Sequence, residues 1–115
     1  MKKFQIAKGA KDIREMGRII LAHGEITGHC HEIVGVEEGT LPATQYFEEP
    51  NGRRVLLALE PCALRHPEHG LIVLDPANPM QVRQGDVLLN PIGGGAWEVI
   101  RQREYSPEAI RNVAD

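Results

Sequence analysis

Apolar residues come along this chain in short runs, each closed by Gly, Pro, Asn or Asp. Brief apolar, β-branched segments between turn residues predict strands rather than helices. GRIILAHG, residues 17–24, is one such run, ended by glycine. TQYFEEPNGRRVLLALEP, residues 44–61, holds two extended segments around Pro50-Asn51-Gly52, a cluster that favours tight reversal because proline fixes φ while Asn and Gly tolerate positive φ. CALRH, GLIVLD, MQVRQ, GDVLLNP and AWEVIRQREY continue the series at intervals of about ten residues, the spacing of a small barrel or sandwich.

Only the ends depart from this pattern. SPEAIRNVAD, residues 106–115, predicts a short C-terminal helix, with Ser106 as N-cap, Pro107 at the first helical position and Glu108 in the first turn facing the positive end of the dipole. GAKDIREMG, residues 9–17, has room for a turn or two of helix before Gly17 ends it. IGGGAW, residues 92–97, permits a bulge, a loop tip or the close approach of another backbone, and reads as a mobile loop. It lacks the lysine and following helix of a phosphate loop.

At 115 residues the chain suits one domain spanning 1–115. With five aromatic residues in all, the core must rest on Ile, Leu, Val and Ala. The formal net charge of -3 gives no general attraction to nucleic acid or anionic lipid, leaving Arg53-Arg54 and the Arg101, Arg103, Arg111 group as the local basic candidates. No apolar run approaches the roughly 20 residues needed to span a bilayer, and the lysine-bearing start has no apolar stretch of an export signal. A cytoplasmic protein is expected, with Cys30 and Cys62 as free thiols.

Candidate chemistry lies in the histidines. In GEITGHCHEIV, residues 24–34, His29 and His31 stand two apart, so an extended strand points both imidazoles to one face and Cys30 to the other. LRHPEHG brings His66 and His69 together around Pro67-Glu68, in a loop or turn. Imidazole is the commonest transition-metal ligand, and Glu32 and Glu68 are candidate carboxylate ligands or partners of the rings. His23 ends the first long strand. The competing account is surface imidazoles engaged only in hydrogen bonds.

The His29-Cys30-His31 segment with a later histidine resembles the metal motif of cupins, small β-barrels that surround a metal with a His-x-His pair, a glutamate and a distant histidine. That resemblance matches His29 and His31 to the pair and His66 or His69 to the distant histidine, and asks Glu37 or Glu38 to supply the glutamate. It covers about a third of the chain. Over most of its length the sequence is similar to a group of small uncharacterised bacterial proteins, some from mobile elements, that share GE-[IV]-TGH-x-H, H-x-EH and an ending like QREYSPEAIRNVAD. That kinship implies no particular activity.

Other chemistries fit less well. A thiol nucleophile needs a base beside it, and Cys30 is expected to face away from its neighbouring histidines. Ser106 is the only serine, which leaves no serine triad apart from a helix cap. Trp97 and Tyr105 with Arg101 and Arg103 share one strand parity and resemble a stacking surface for single strands, against a simpler division into core and solvent ends. QGDVLLNP and RRVLLALE are candidate sheet edges for pairing with another chain.

The expectation is a mainly β, small single-domain barrel or sandwich with a short C-terminal helix. Its expected function is to bind a divalent transition metal, zinc first, through His29, His31, His66 and His69, with no activity specified. The alternative is a metal-free interaction or assembly module, homo-oligomeric and linked to a mobile element. Neither nucleic acid nor membrane is expected as a partner.

Overall fold

The computed structural model describes residues 3–24 and 29–101. Ten strands lie within them: β1 (Lys11–Asp12), β2 (Ile19–His23), β3 (Cys30–Gly35), β4 (Thr44–Glu48), β5 (Arg54–Ala58), β6 (Cys62–His66), β7 (His69–Leu74), β8 (Val82–Gln84), β9 (Val87–Gly93) and β10 (Ala96–Arg101). They form two antiparallel sheets, a six-stranded one in the order β1-β4-β5-β10-β9-β8 and a four-stranded one in the order β2-β3-β6-β7. No helix among the described residues is long and apolar enough to cross a membrane. The expected C-terminal helix at residues 106–115 lies outside the described residues.

Alternation along each strand explains why the sheets pack together. Ile19, Leu21, Ile33, Leu64 and Leu74 of the smaller sheet meet Tyr46, Leu56, Val87, Leu89, Trp97 and Val99 of the larger in one buried cluster. Trp97 is fully buried and donates its indole N–H to the Met80 carbonyl at 3.1 Å, so its polar atom is satisfied inside the core. It is unavailable for stacking on bases, and the division into core and solvent ends prevails along β10. The barrel alternative gives way to two sheets, because no hydrogen-bonded ring of strands closes among the described residues.

Turn chemistry sets the registers. Pro50-Asn51-Gly52 closes the β4–β5 hairpin as expected: Gly52 has φ of 92°, and Glu49 N–H donates to the Arg53 carbonyl at 2.8 Å. Residues 9–17 form no helix. Glu15 and Arg18 exchange backbone hydrogen bonds of 2.8 and 3.0 Å across Met16 and Gly17, whose φ values of 54° and 81° are those of a type I′ turn. Ala10 and Ile13 pack against the core from an extended segment while Met16 is exposed in the turn, so Gly17 serves a hairpin rather than a helix end. The glycines of IGGGAW form a tight connection: Gly94 and Gly95 make the turn between β9 and β10, the pairing shifts register between Ala96 and Trp97, and the Gly94 carbonyl accepts from Phe4 N–H at 3.2 Å where a side chain would collide with Phe4 backbone.

The candidate edges prove to be interior strands. β5 lies between β4 and β10, and β9 between β10 and β8, which leaves β1, β8, β2 and β7 at the sheet margins. β5 is apolar on both faces because each is covered, Leu56 and Ala58 by the cluster between the sheets and Val55 and Leu57 by a second cluster with Phe47 and Ala96.

Candidate functional site

The β3–β6 pairing joins Glu32 to Arg65 and Ile33 to Leu64, and one more step in that register sets His31 opposite His66. Across the β6–β7 hairpin His66 pairs with His69. His31, His66 and His69 therefore form a row across three neighbouring strands. Ring centroids stand 4.5 Å apart for His31 and His66, 4.7 Å for His66 and His69, and 6.2 Å for His31 and His69. His29, just before β3, joins the row edge-on to His66 at 5.9 Å. The two histidine pairs thus meet.

Of the loop or turn expected for HPEH, the structure has the turn. Pro67-Glu68 is the two-residue turn of a hairpin; proline supplies the first φ and Glu68 has no positive φ, which is the type I form. A bulge sets Gly70 and Leu71 opposite Arg65 and accommodates that turn. The spacing of two residues between the histidines was the signal for direct cross-strand neighbours.

Each ring has a different hydrogen-bonding state. His66 Nδ1 accepts the Glu68 backbone N–H at 3.1 Å, so a neutral His66 carries its proton on Nε2. His29 Nδ1 lies 3.4 Å from a Glu68 carboxylate oxygen, an arrangement that orients the ring. His31 is 6% exposed, and its Nε2 is buried with no hydrogen-bond partner. Burial, reinforced by the positive potential of protonated His66, holds the His31 pKa below its ordinary value, while Asp86 pulls the other way. His31 is thereby neutral near pH 7, the form that can ligate a metal.

The β8–β9 turn covers this ring. Gln84 pairs with Val87 across Gly85-Asp86, and positive φ of 61° at Gly85 alone marks a type II′ turn. A methyl group at Gly85 would stand 3.4 Å from both Cε1 and Nε2 of His31. Asp86 is paired with Arg101 at 2.9 Å. Gln84, also nearly fully buried, donates Nε2–H to the Gly70 carbonyl at 2.9 Å, linking β8 to β7 beside His69.

Several candidates lie elsewhere. Glu32 projects from the opposite face of β3 and binds Arg18 and Arg65, each at 2.9 Å, so it is no partner of the rings. His23 meets Glu15 at 3.0 Å. Glu37 and Glu38 lie exposed beyond Gly35, past the far end of β3 from His31, and do not fill the cupin glutamate position. Cys62 pairs with Gly35 while Cys30 begins β3, a separation of about 17 Å at ~3.4 Å per residue that excludes a disulfide. Burial pushes the Cys62 thiol up to about 11, which removes it as a nucleophile. Arg53, Arg54 and Arg101 each pair with a carboxylate. Among the described residues no group of three or more His, Cys, Asp or Glu side chains is arranged to hold a metal ion.

The chain belongs to the family described as a domain of unknown function (DUF8820), whose model matches residues 3–78. All four histidines fall within that span, whereas the β8–β9 turn above His31 falls beyond it. No curated protein and no solved structure matches the chain.

Proposed function

Taking this family membership as the starting point, we propose that His29, His31, His66 and His69 bind a divalent transition metal, zinc first. The observation that carries the reading is the buried, partnerless Nε2 of His31 beside the imidazoles of His66 and His69, with His29 edge-on to His66. A buried polar atom with no hydrogen bond costs about 1–3 kcal/mol, and a bound ligand is the simplest way to recover it. Spacing supports the same reading. Two imidazole nitrogens at about 2.1 Å from one ion at tetrahedral angles put their ring centroids roughly 5.3 Å apart, between the 4.5 and 4.7 Å of the inner pairs and the 5.9 and 6.2 Å of the outer ones. Binding then requires reorientation of rings, chiefly release of the His66 lone pair from Glu68 N–H, rather than movement of strands. Neutral nitrogen donors favour zinc, nickel, copper or cobalt over magnesium or calcium.

Elemental analysis of the untagged protein tests this. The expected result is close to one metal per chain, lost in the His29→Ala, His31→Ala double variant and released in the wild type on acidification, as protons compete with the ion for the imidazole nitrogens. Substoichiometric metal, or equal metal in the double variant, sinks the reading.

A second reading, association with another copy of the chain, is favoured by β7. This strand lies at a sheet margin, carries no Asp, Glu, Lys or Arg, and exposes Leu71 and Val73. Such an edge invites strand pairing. Sedimentation should then give a dimer that Leu71→Lys converts to monomer; a monomeric wild type dismisses it.

A further inference from the structure

Arg54 and Arg101 come from the two stretches that hold the local basic residues of the sequence, and the fold brings both to one cavity. The registers explain how. Arg54 pairs with Val99, and Arg101 lies two residues further along β10, so the two arginines are diagonal neighbours on the inner face of the larger sheet. Such positions stand about 7–8 Å apart, within reach of long side chains. Gly52, two residues before Arg54, brings no side chain to this end of the sheet, and with Val99 below and Leu21 from the smaller sheet a cavity of about 310 Å³ is left between the arginines. That volume is at the low end of small-molecule sites, roughly 300–1,000 Å³.

Each guanidinium is held from the side away from the cavity. Glu48 lies on β4, beyond β5 from β10, and accepts from Arg54 Nε at 3.2 Å; Asp86 lies in the β8–β9 turn, beyond β10 from β5, and accepts from Arg101 Nη2 at 2.9 Å. One contact apiece leaves most of the five N–H donors of a guanidinium unused. Arg53, on the opposite face, instead gives two of its nitrogens to Glu49 at 2.6 and 3.1 Å. Tyr46 shares the face of Arg54, and its buried hydroxyl has no hydrogen-bond partner. Burial raises its pKa and the Arg54 guanidinium opposes that rise, so the unmet hydroxyl and the half-exposed cation are neighbours.

We propose that this cavity binds a small phosphate-bearing molecule, its phosphoryl oxygens accepting N–H donors from Arg54 and Arg101 on two sides. A tetrahedral group offers oxygens in several directions, which suits guanidiniums presented from two strands better than the coplanar oxygens of a carboxylate do. Leu21 and Val99 give its organic part an apolar wall. Glu48 and Asp86 balance the local charge and compete for the arginines, so affinity is modest. No metal is required, and the proposal stands apart from the histidine row.

The probe is inorganic phosphate, titrated calorimetrically into the metal-free full chain at fixed ionic strength, with acetate as the comparison anion. The wild type should bind one phosphate per chain with a dissociation constant of about 1 mM or below, and acetate more weakly. Arg54→Gln and Arg101→Gln should each weaken phosphate binding roughly tenfold, the loss of a hydrogen bond to a charged group. Glu48→Gln should tighten it several-fold by freeing Arg54, whereas Asp12→Asn, which takes the same charge from the Arg14 pair, should leave it unchanged. A gain at Glu48 alone is not produced by a purely structural ion pair, and it decides the matter should either arginine variant fail to fold. Absence of saturable binding in the wild type, unchanged affinity in both arginine variants, or equal gains in Glu48→Gln and Asp12→Asn overturns the proposal; acetate bound as tightly as phosphate overturns the choice of phosphate.

Discussion

His31 and Glu32 are neighbours on β3 and almost equally buried, at 6% and 7% exposure, yet they end in opposite conditions. Glu32 points to the outer face, where Arg18 makes a two-pronged contact of 2.9 and 3.0 Å and Arg65 adds a third at 2.9 Å. Its carboxylate is completely engaged. His31 points inward to a row of imidazoles and keeps Nε2 without a partner. Strand alternation has thus separated a closed polar network from an open one within two residues, and only the open one has capacity for a ligand.

Acid should distinguish the two regions. Bonding to Arg18 holds the Glu32 pKa below its ordinary 4.5, so the stability it contributes is present above that value and lost as pH falls through the lower folded value. His31 has a folded pKa below its ordinary 6.5, chiefly from burial, so the unfolded chain takes up a proton first. Stability therefore begins to fall at a higher pH, from about 6.5 downward, and that drop should flatten in a His31→Leu variant when measured by urea unfolding.

The largest effect is expected from opening the closed network. Replacing both Arg18 and Arg65 with alanine leaves the Glu32 carboxylate buried and unpaired and should cost about 2 kcal/mol in chemical denaturation, less than a fully buried pair because both guanidiniums are half exposed. Metal affinity should change little. Gly85→Ala comes next, with a cost of about 1–2 kcal/mol from positive φ and a methyl 3.4 Å from His31 Nε2 that should also weaken metal binding. The smallest effect has the opposite sign: His31→Leu removes a partnerless buried nitrogen and should stabilise the metal-free protein by about 1 kcal/mol at pH 7. A loss of stability there would mean that the nitrogen is satisfied after all.

How much of this was legible beforehand follows from the distance over which each feature is encoded. The β4–β5 hairpin was readable because Pro50, Asn51 and Gly52 determine its turn locally, and the strands through CALRH and GLIVLD because apolar runs bounded by turn residues need no long-range information. The opposed directions of Cys30 and His31 followed from strand parity alone. The meeting of His31 with His66 did not, because it depends on the β3–β6 register between residues 35 apart in sequence. Once HPEH is understood as a two-residue hairpin, however, the His66–His69 contact is local. Glu32 was misassigned to the rings for want of knowledge that Arg18 and Arg65 converge on it from neighbouring strands.

The central claim is that the open region binds a metal in the folded state. Unfolding of metal-free protein at pH 7.5, with and without zinc at about 100 times its dissociation constant, tests this directly, since binding to the folded state alone adds about 2.7 kcal/mol. The account predicts that gain for the wild type and none for His31→Leu. An equal gain in both proteins, or none in the wild type at any zinc concentration, would contradict it.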